Sequence, residues 1–312
     1  MAAISFRNVT KRFGAKVAVS NVSFEVPEGS AFGLIGPNGA GKTTSFSMMA
    51  GFIRSTDGSV TVLDHVPTDV AALGSRLSVL PQDAILPPRD QVGELLVFLA
   101  NLQGIGPERR EKCARDVLEE VGGKDWWKTR CGELSHGMAK RVQLAQALLG
   151  EPTVILLDEP TAGLDPRAAH EVREIISRRK RAESTLVISS HNLQELETLC
   201  DFAAILDRGQ LVAKGSMSEL TGAGREVIFQ LAPKKGTREI GVVPEAVLAA
   251  ISGVKRVLVD RDRLIVSFDP TALEAEDVIQ SVLEALFASG LRIGGVTKGQ
   301  GLEKRVMDLT DA

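Results

Sequence analysis

A glycine-rich segment near the N-terminus has the residue types and spacing of a phosphate-binding loop. Residues Gly36–Thr43 fit the pattern G-x-x-x-x-G-K-[ST], and they follow the apolar run Ala31–Ile35 and precede a predicted helix. Glycines let the backbone curl so that its N–H groups converge on phosphate oxygens, and the start of the helix adds partial positive charge. The predicted nucleotide-contacting residues here are Gly36, Pro37, Asn38, Gly39, Ala40, Gly41, Lys42, Thr43 and Thr44.

Two side chains of this segment would carry specific chemistry. The ammonium group of Lys42 would reach the β- and γ-phosphates of a nucleotide, and the hydroxyl group of Thr43 would ligate Mg²⁺. The alternative is a glycine-rich turn that binds no ligand. The strand before the segment and the helix after it favour the phosphate-binding loop.

Two acidic residues, Asp158 and Glu159, follow a second apolar run, Val154–Leu157. In α/β folds, groups that contact ligands stand at the ends of strands. The carboxylate of Asp158 is suited to hold Mg²⁺, usually through a water molecule. The carboxylate of Glu159 could polarise the water that attacks a γ-phosphate. The alternative is a pair of solvated acids at the exit of a strand.

The composition excludes several classes of protein. Of the 312 residues, 44% are hydrophobic and 25% are charged, which is ordinary for a globular protein. The net charge of −3 provides no global basic field, so we expect no nucleic-acid partner. No apolar run approaches the roughly 18–20 residues that cross a bilayer. Because the first residues also lack the apolar core of a signal peptide, we expect a cytoplasmic chain with no membrane span of its own.

Strand and helix signals alternate from Met1 to about Leu220, which predicts an α/β domain with a largely parallel sheet. The predicted buried strands are Ala31–Ile35, Leu77–Leu80, Val154–Leu157, Leu186–Ile188 and Phe202–Leu206. The predicted helices are Gln91–Leu102 with Asp90 as its cap, Glu108–Val121 begun by Pro107, and one that Ser135 begins and that runs to about Leu149.

A second, smaller module follows a glycine-rich break. We predict domain limits of 1–220 and 226–312, joined by the linker 221–225. Within the second module the predicted order is β-α-β-β-α-β, the split βαβ pattern of ferredoxin-like α+β domains, with a short closing helix at 302–309. It contains no histidine or cysteine, which argues against a metal site there.

A third motif, Leu134-Ser135-His136-Gly137-Met138, lies between the phosphate-binding loop and the acidic pair. In this order the three motifs resemble the Walker A, signature and Walker B motifs of the ATP-binding-cassette (ABC) ATPases. Smaller elements match the same family: Phe13 for the A-loop, Gln82 for the Q-loop, Asp165 for the D-loop and His191 for the switch histidine. The resemblance covers about residues 4–220 and implies a P-loop ABC ATPase fold with an antiparallel edge sheet and a helical subdomain at about 88–150.

The resemblance also implies a role for each matching side chain. The ring of Phe13 would stack on adenine, and the amide oxygen of Gln82 would contact Mg²⁺ or the attacking water. His191 would donate a hydrogen bond to the γ-phosphate, and Asp165 would belong to the nucleotide-binding surface. Taken singly, other interpretations stay open: Phe13 as a core residue, Gln82 as a surface turn residue and His191 as a helix cap.

The signature segment departs from the family consensus LSGGQ at His136 and Met138. Ser135 and Gly137 remain, and they open a helix whose positive end would dock on the γ-phosphate held by an opposite subunit. This variant resembles cassettes of exporters that use a separate membrane subunit. His136 is either a pH-dependent donor near phosphate or a tolerated exposed residue at a helix start.

A chain with one Walker A motif and one signature cannot complete an ATP site alone. The resemblance therefore implies a head-to-tail dimer, with a second copy or a related ABC subunit, and an ATPase that powers export through a separate transmembrane permease on the inner face of the cell membrane. The permease would dock beside Gln82 and the helical insert around Pro87–Leu102. The proline-rich stretch Ile85–Asp90 is the candidate docking surface, for which an ordinary loop is the alternative. The C-terminal module would assist pairing or merely stabilise the chain.

Three other functions remain as alternatives. A high-affinity ABC importer ATPase shares the same core motifs. A soluble ABC ATPase that acts on DNA or ribosomes is disfavoured by the single cassette, the acidic charge and the lack of room for a long coiled coil between Lys42 and Leu134. A non-catalytic nucleotide-gated binding protein is disfavoured because Glu159 and His191 are both present.

Overall fold

The chain divides into two units, Met1–Lys214 and Gly215–Ala312, in a computed structural model. The structure describes residues 1–181, 184–223, 225–233 and 240–310. The strands of the first unit are β1 (Ala2–Phe13), β2 (Lys16–Pro27), β3 (Ala31–Ile35), β4 (Asp57–Val62), β5 (Leu77–Leu80), β6 (Val154–Asp158), β7 (Thr185–Ser189), β8 (Phe202–Asp207) and β9 (Gln210–Ser216), of which the last ends two residues past the division. Its helices are α1 (Lys42–Met49), α2 (Val70–Leu73), α3 (Val92–Leu102), α4 (Pro107–Glu120), α5 (His136–Leu148), α6 (Pro166–Arg181) and α7 (Leu193–Leu199).

A six-stranded sheet in the order β5-β6-β7-β3-β8-β9 forms the centre of the first unit. The pairs β5–β6, β6–β7, β7–β3 and β3–β8 are parallel. Every residue of β3, β6 and β7 is buried, as expected for strands covered on both faces. The turn from β8 to β9 consists of Arg208 and Gly209, whose φ angles of 47° and 79° match a tight hairpin.

A three-stranded antiparallel sheet, β2-β1-β4, packs on one side of this centre and is the predicted edge sheet. Three phenylalanines join the two sheets. The ring centroids of Phe6 and Phe24 lie 4.5 Å apart, and those of Phe24 and Phe32 lie 5.4 Å apart, all close to parallel. The shared core continues into α1 through Phe46, Met48 and Met49. The phosphate-binding segment thus starts from a rigid base.

Helices α3, α4 and α5, with short 3₁₀ turns at Lys124–Trp126 and Cys131–Glu133, occupy the predicted helical region. The predicted cap at Asp90 is wrong. Gln91 occupies the N-cap position and makes no side-chain capping bond. The N–H groups of Val92 and Gly93 donate instead to the carbonyl oxygens of Thr129 and Trp127, at 3.0 Å each, so the helix start needs no carboxylate.

The second unit contains β10 (Glu226–Ala232), β11 (Val254–Asp260), β12 (Arg263–Phe268) and β13 (Arg292–Lys298), with α8 (Met217–Thr221), α9 (Glu245–Ala249), α10 (Ala275–Ala288) and α11 (Leu302–Thr310). From β10 to β13 the elements follow the predicted order. The antiparallel sheet order β11-β12-β10-β13 pairs the first and third strands at the centre, which is the split βαβ arrangement. Phe229, Val266, Val278 and Leu286 form part of its own core.

The division between the two units falls after Lys214, and α8 packs with α11 inside the second unit. The domain limits of 1–220, 221–225 and 226–312 stay a prediction. Across the described residues, no helix combines the length and the apolar character that a membrane span requires.

Candidate nucleotide site

The phosphate-binding segment connects β3 to α1 and uses glycine where only glycine fits. Gly36 and Gly41 have φ angles of 153° and 100°. A Cβ atom added to Gly36 would lie 2.2 Å from the carbonyl oxygen of Leu206, whereas one added to Gly39 would meet nothing within 4 Å. The loop is therefore packed tightly against β8 and open above Gly39. Gly41 is the N-cap of α1 and no side chain caps this end, so the first N–H groups of the helix face outward.

The side chain of Lys42 folds back over this loop. Its Nζ atom donates to the carbonyl oxygens of Gly36, at 2.7 Å, and Pro37, at 3.1 Å. Burial lowers the pKa of Lys42, and the charges of Glu159 and Asp158 oppose that shift. The ammonium group is thus held within the loop and in the field of the acidic pair.

Asp158 ends β6 at the same edge of the sheet and is 6% exposed. Its Oδ1 atom accepts a hydrogen bond from the hydroxyl group of Ser189, the residue opposite it on β7. Burial raises the pKa of Asp158, while the bond from Ser189 and the charges of Lys42 and Lys140 act in the opposite direction. The strand pairing thus positions one oxygen of the carboxylate by a hydrogen bond.

Glu159 lies one residue beyond the strand in a strained conformation. Its φ angle is 50°, which is uncommon for a residue with a side chain, and its N–H group donates to the carbonyl oxygen of Ser189 at 3.0 Å. Its Oε2 atom lies 2.7 Å from Nδ1 of His191. An ionised carboxylate only accepts hydrogen bonds, so Nδ1 is the nitrogen that carries the proton in this contact. The structure therefore brings together the predicted base and the predicted switch histidine.

The remaining predicted residues of this half of the site lie around that edge. Gln82 is exposed in the turn after β5, just beyond the pairing of Leu80 with Leu157. Nε2 of Gln143 on α5 donates to the carbonyl oxygen of Ala84 at 2.7 Å and ties this turn to the helical region.

Two of the alternative interpretations do not fit the structure. Phe13 ends β1 and is 50% exposed, so it is not a core residue. His191 does not cap a helix, because the cap of α7 is Asn192, whose side chain accepts from the N–H group of Glu195.

The signature segment lies at the N-terminus of α5. Ser135 is the N-cap, and its Oγ atom accepts from the N–H group of Met138 at 3.3 Å. A Cβ atom added to Gly163 would lie 3.2 Å from Nε2 of His136, so the histidine faces the segment before Asp165 in its own chain. A Cβ atom added to Gly137 would lie 3.3 Å from the Cβ atom of Ala168. Asp165 caps α6 by accepting from the N–H groups of Arg167 and Ala168.

Sequence reasoning missed two further polar residues of the site, Ser189 and Lys140. Lys140 lies on α5, is 6% exposed, and has a pKa that burial lowers and that Asp158, Glu159 and Asp83 raise. A signal did exist, because Lys140 shares the buried face of α5 with Leu144 and Ala147 at helical spacing. A lysine on such a face indicates nearby negative charge.

The geometry has counterparts in known proteins. Residues 19–162 match the family model described as ABC transporter. The linearmycin resistance ATP-binding protein LnrL of Bacillus subtilis is 31% identical over 97% of this chain and 96% of its own length. The Nod factor export ATP-binding protein I of Burkholderia lata is 36% identical over 76% of this chain and 79% of its own. A solved structure of an ATP binding subunit of an ABC transporter is 26% identical, with a TM-score of 0.64 over 70% of this chain and 91% of that one.

Proposed function

The chain belongs to the ABC transporter family as an ATP-binding subunit with ATPase activity, and from this premise we propose that it powers export through a separate transmembrane permease. The observation that carries the catalytic part is the contact between Glu159 and His191 beside the phosphate-binding loop. The export direction is supported by the two relatives, which are named for Nod factor export and for linearmycin resistance.

We propose that ATP binds across the edge formed by β1, β3 and β6. The exposed ring of Phe13 stacks on adenine, and the backbone N–H groups of Gly36–Thr44 hold the phosphates. Lys42, which now donates to two loop carbonyl oxygens, turns to the β- and γ-phosphates. Its position inside the loop means that only a short side-chain movement is needed.

The donor set at this edge fits Mg²⁺. Asp158, Thr43 and Gln82 offer a carboxylate, a hydroxyl and an amide oxygen, which are hard ligands, and the phosphates of ATP would complete the coordination. Among the described residues, no group of three or more His, Cys, Asp and Glu side chains could hold a metal. When bound, Mg²⁺ neutralises charge that develops on the phosphate oxygens.

We propose that Glu159 takes the proton of the attacking water and that His191 orients Glu159 and stabilises the γ-phosphate. Nδ1 of His191 already lies 2.7 Å from Oε2 of Glu159, and an ionised Glu159 accepts its proton in a hydrogen bond. A simultaneous hydrogen bond from the same ring to the γ-phosphate comes from Nε2, which requires the imidazolium form. The two side chains thus act as one unit.

The second half of each site comes from another subunit. Ser135 and His136 are exposed at the N-terminus of α5, and this chain has one such signature segment. We propose a head-to-tail dimer, with a second copy or a related ABC subunit, in which α5 of one subunit faces the γ-phosphate bound by the other. Hydrolysis removes that phosphate and lets the dimer open.

We further propose that the permease docks on an apolar surface near Gln82. Ile85 is 87% exposed, Phe98 is 55% exposed and Leu102 is 66% exposed, and α3 carries the last two. Through this surface the chain would lie on the inner face of the cell membrane.

The dimer is tested by trapping it. Purified Glu159→Gln protein with ATP and Mg²⁺ is expected to double its mass in light scattering, since bound ATP persists. Lys42→Ala/Glu159→Gln is the matched control and should stay at the monomer mass. Equal masses for both variants with and without ATP would contradict the nucleotide-driven dimer.

The permease is tested by purification from native membranes. A tagged chain is expected to retain one multispan membrane protein, identified by mass spectrometry, and to lose it in Ile85→Asp/Phe98→Asp while basal ATPase activity is kept. Recovery of a periplasmic substrate-binding protein with it would support the import alternative instead.

A further inference from the structure

A buried carboxylate near the N-terminus of α7 has no place in the functions above. Glu195 is 3% exposed, and its N–H group donates to Oδ1 of Asn192 at 3.2 Å. Its Oε2 atom accepts two hydrogen bonds, from Oγ1 of Thr161 at 2.7 Å and from Oγ of Ser190 at 3.1 Å. Its Oε1 atom is buried and has no hydrogen-bond partner among the described residues.

The two hydroxyl groups come from the two loops that carry the predicted catalytic machinery. Thr161 lies between Glu159 and Asp165, in the segment that leads from β6 to α6. Ser190 directly precedes His191 and is 1% exposed, and its Oγ atom also accepts from the N–H group of Asn192 at 3.1 Å. A single carboxylate oxygen therefore bridges both loops.

This bridge adds to one backbone connection. The N–H group of Glu159 donates to the carbonyl oxygen of Ser189, which joins the loops at their start. The bonds to Glu195 act further along each loop. They lie in a buried setting, which strengthens a hydrogen bond.

We infer that Glu195 is a positioning residue that holds two loops against each other and so sets the geometry of the Glu159–His191 pair. The first is the Asp165 loop, between β6 and α6, and the second is the His191 loop, between β7 and α7. The inference rests on the roles proposed for Glu159, Asp165 and His191. A buried carboxylate with one unpartnered oxygen carries a desolvation cost, and a site can retain such a group because it specifies one arrangement.

The same loop also reaches the signature segment. Nε2 of His136 would lie 3.2 Å from a Cβ atom added to Gly163, two residues after Thr161. A displacement of the Asp165 loop would therefore also displace the N-terminus of α5, which in the proposed dimer faces the partner's nucleotide. In a head-to-tail dimer, Glu195 connects the catalytic half of one ATP site with the signature half of the other.

The test compares Thr161→Val with Thr161→Ser. Valine keeps the shape of threonine and removes the donor, whereas serine keeps the donor. We expect Thr161→Val to lower the kcat for ATP about tenfold or more with KM within about twofold, and Thr161→Ser to stay near the parent. Ser190→Ala should lower kcat in the same way. Glu195→Gln, whose amide oxygen can accept both bonds, should retain most of the activity.

Several outcomes would overturn the inference. One is a kcat for Thr161→Val equal to that of Thr161→Ser, and another is an increase in KM alone, which would indicate a role in binding. Melting temperatures of all variants separate a positional effect from loss of folding; if Thr161→Val unfolds, Ser190→Ala decides. If Glu159→Gln still hydrolyses ATP, the proposed catalytic roles fail. If Glu159→Gln is inactive while Thr161→Val and Ser190→Ala keep the parent kcat, only the inference about Glu195 fails.

Discussion

The Nδ1 atom of His191 lies 2.7 Å from Oε2 of Glu159, although the two residues follow different strands, β7 and β6. The glutamate side chain is 12% exposed and the histidine side chain is 70% exposed. The carboxylate is thus held from one side by the histidine ring and sheltered by the fold. In its proposed role as the base, Glu159 is oriented before the water arrives, which favours proton transfer.

Replacing the proposed base should separate ATP binding from ATP hydrolysis. Glu159→Gln keeps an oxygen that can accept from Nδ1 but cannot take a proton, so we expect phosphate release to fall at least about 100-fold while ATP binding persists. Glu174→Gln, the same change at an exposed position of α6, is the control and should match the parent. Phosphate release by Glu159→Gln at the parent rate would show that another group is the base.

Two variants that are each inactive, Lys42→Ala and Gly137→Asp, should regain ATPase activity when they are mixed. Lys42→Ala spoils the phosphate loop, and Gly137→Asp places a side chain and a negative charge at the signature, where even a Cβ atom would lie 3.3 Å from Ala168. In a mixed head-to-tail dimer one site carries both changes and the other carries neither. At equal concentrations we expect about a quarter of the parent ATPase activity, because half of the dimers are mixed and each has one intact site. No recovery after subunit exchange would contradict the shared site.

Much of the catalytic core could be predicted because its signals are local. The strand Ala31–Ile35 has the predicted limits, since a strand buried on both faces is a continuous apolar run in the sequence. The strand Leu77–Leu80 also has the predicted limits, although it lies at the edge of the sheet and three of its four residues are half-buried. Ser135 is the N-cap of α5, as the residue type indicates. The split βαβ order of the second unit likewise follows from short apolar runs separated by turns and two helical segments.

What could not be predicted depends on partners distant in sequence. The Asp90 cap was wrong because carbonyl groups of Thr129 and Trp127 satisfy the start of α3. Lys140 and Glu195 are polar residues in helices whose functional neighbours come from other elements. The spacing of α5 indicates a charged neighbour for Lys140, but only the folded structure shows which residues each of the two side chains faces.

The ring of Phe13 offers a test of adenine stacking. Because it is half exposed, its removal should cost little stability, and loss of about 1 kcal/mol of stacking should raise the KM for ATP about fivefold with little change in kcat. Phe13→Ala is the test and Phe13→Tyr, which keeps the ring, is the control. An unchanged KM in Phe13→Ala, measured by steady-state ATPase kinetics, would mean that adenine binds elsewhere.

The ion pair between Arg179 and Glu120 should stabilise the connection of α4 to α6. Nε and Nη2 of Arg179 donate to the two carboxylate oxygens at 2.8 and 2.5 Å, and the side chains are only 13% and 23% exposed. We expect Arg179→Met to lower the free energy of unfolding by about 1–2 kcal/mol in urea titrations. Lys124→Met breaks the exposed pair with Glu119 and should cost less than about 0.5 kcal/mol. Equal losses would show that burial of the pair has no effect.

Lys140 should lower the stability of the folded chain at neutral pH and support its ATPase activity. Burial lowers the pKa of its ammonium group below the ordinary value of 10.5, so the folded chain releases this proton more readily than the unfolded chain. The cost of keeping the group charged is therefore fully present below the folded pKa and disappears as the pH rises to the unfolded value. We expect Lys140→Met to melt at a higher temperature than the parent at pH 7, and the difference to shrink at alkaline pH.

The ATPase activity of Lys140→Met should fall, because Asp158 and Glu159 lose a nearby positive charge. Lys128→Met, an exposed lysine of the same helical region, should change neither quantity. A Lys140→Met protein that melts below the parent at pH 7 would show that the acids outweigh the desolvation of the ammonium group.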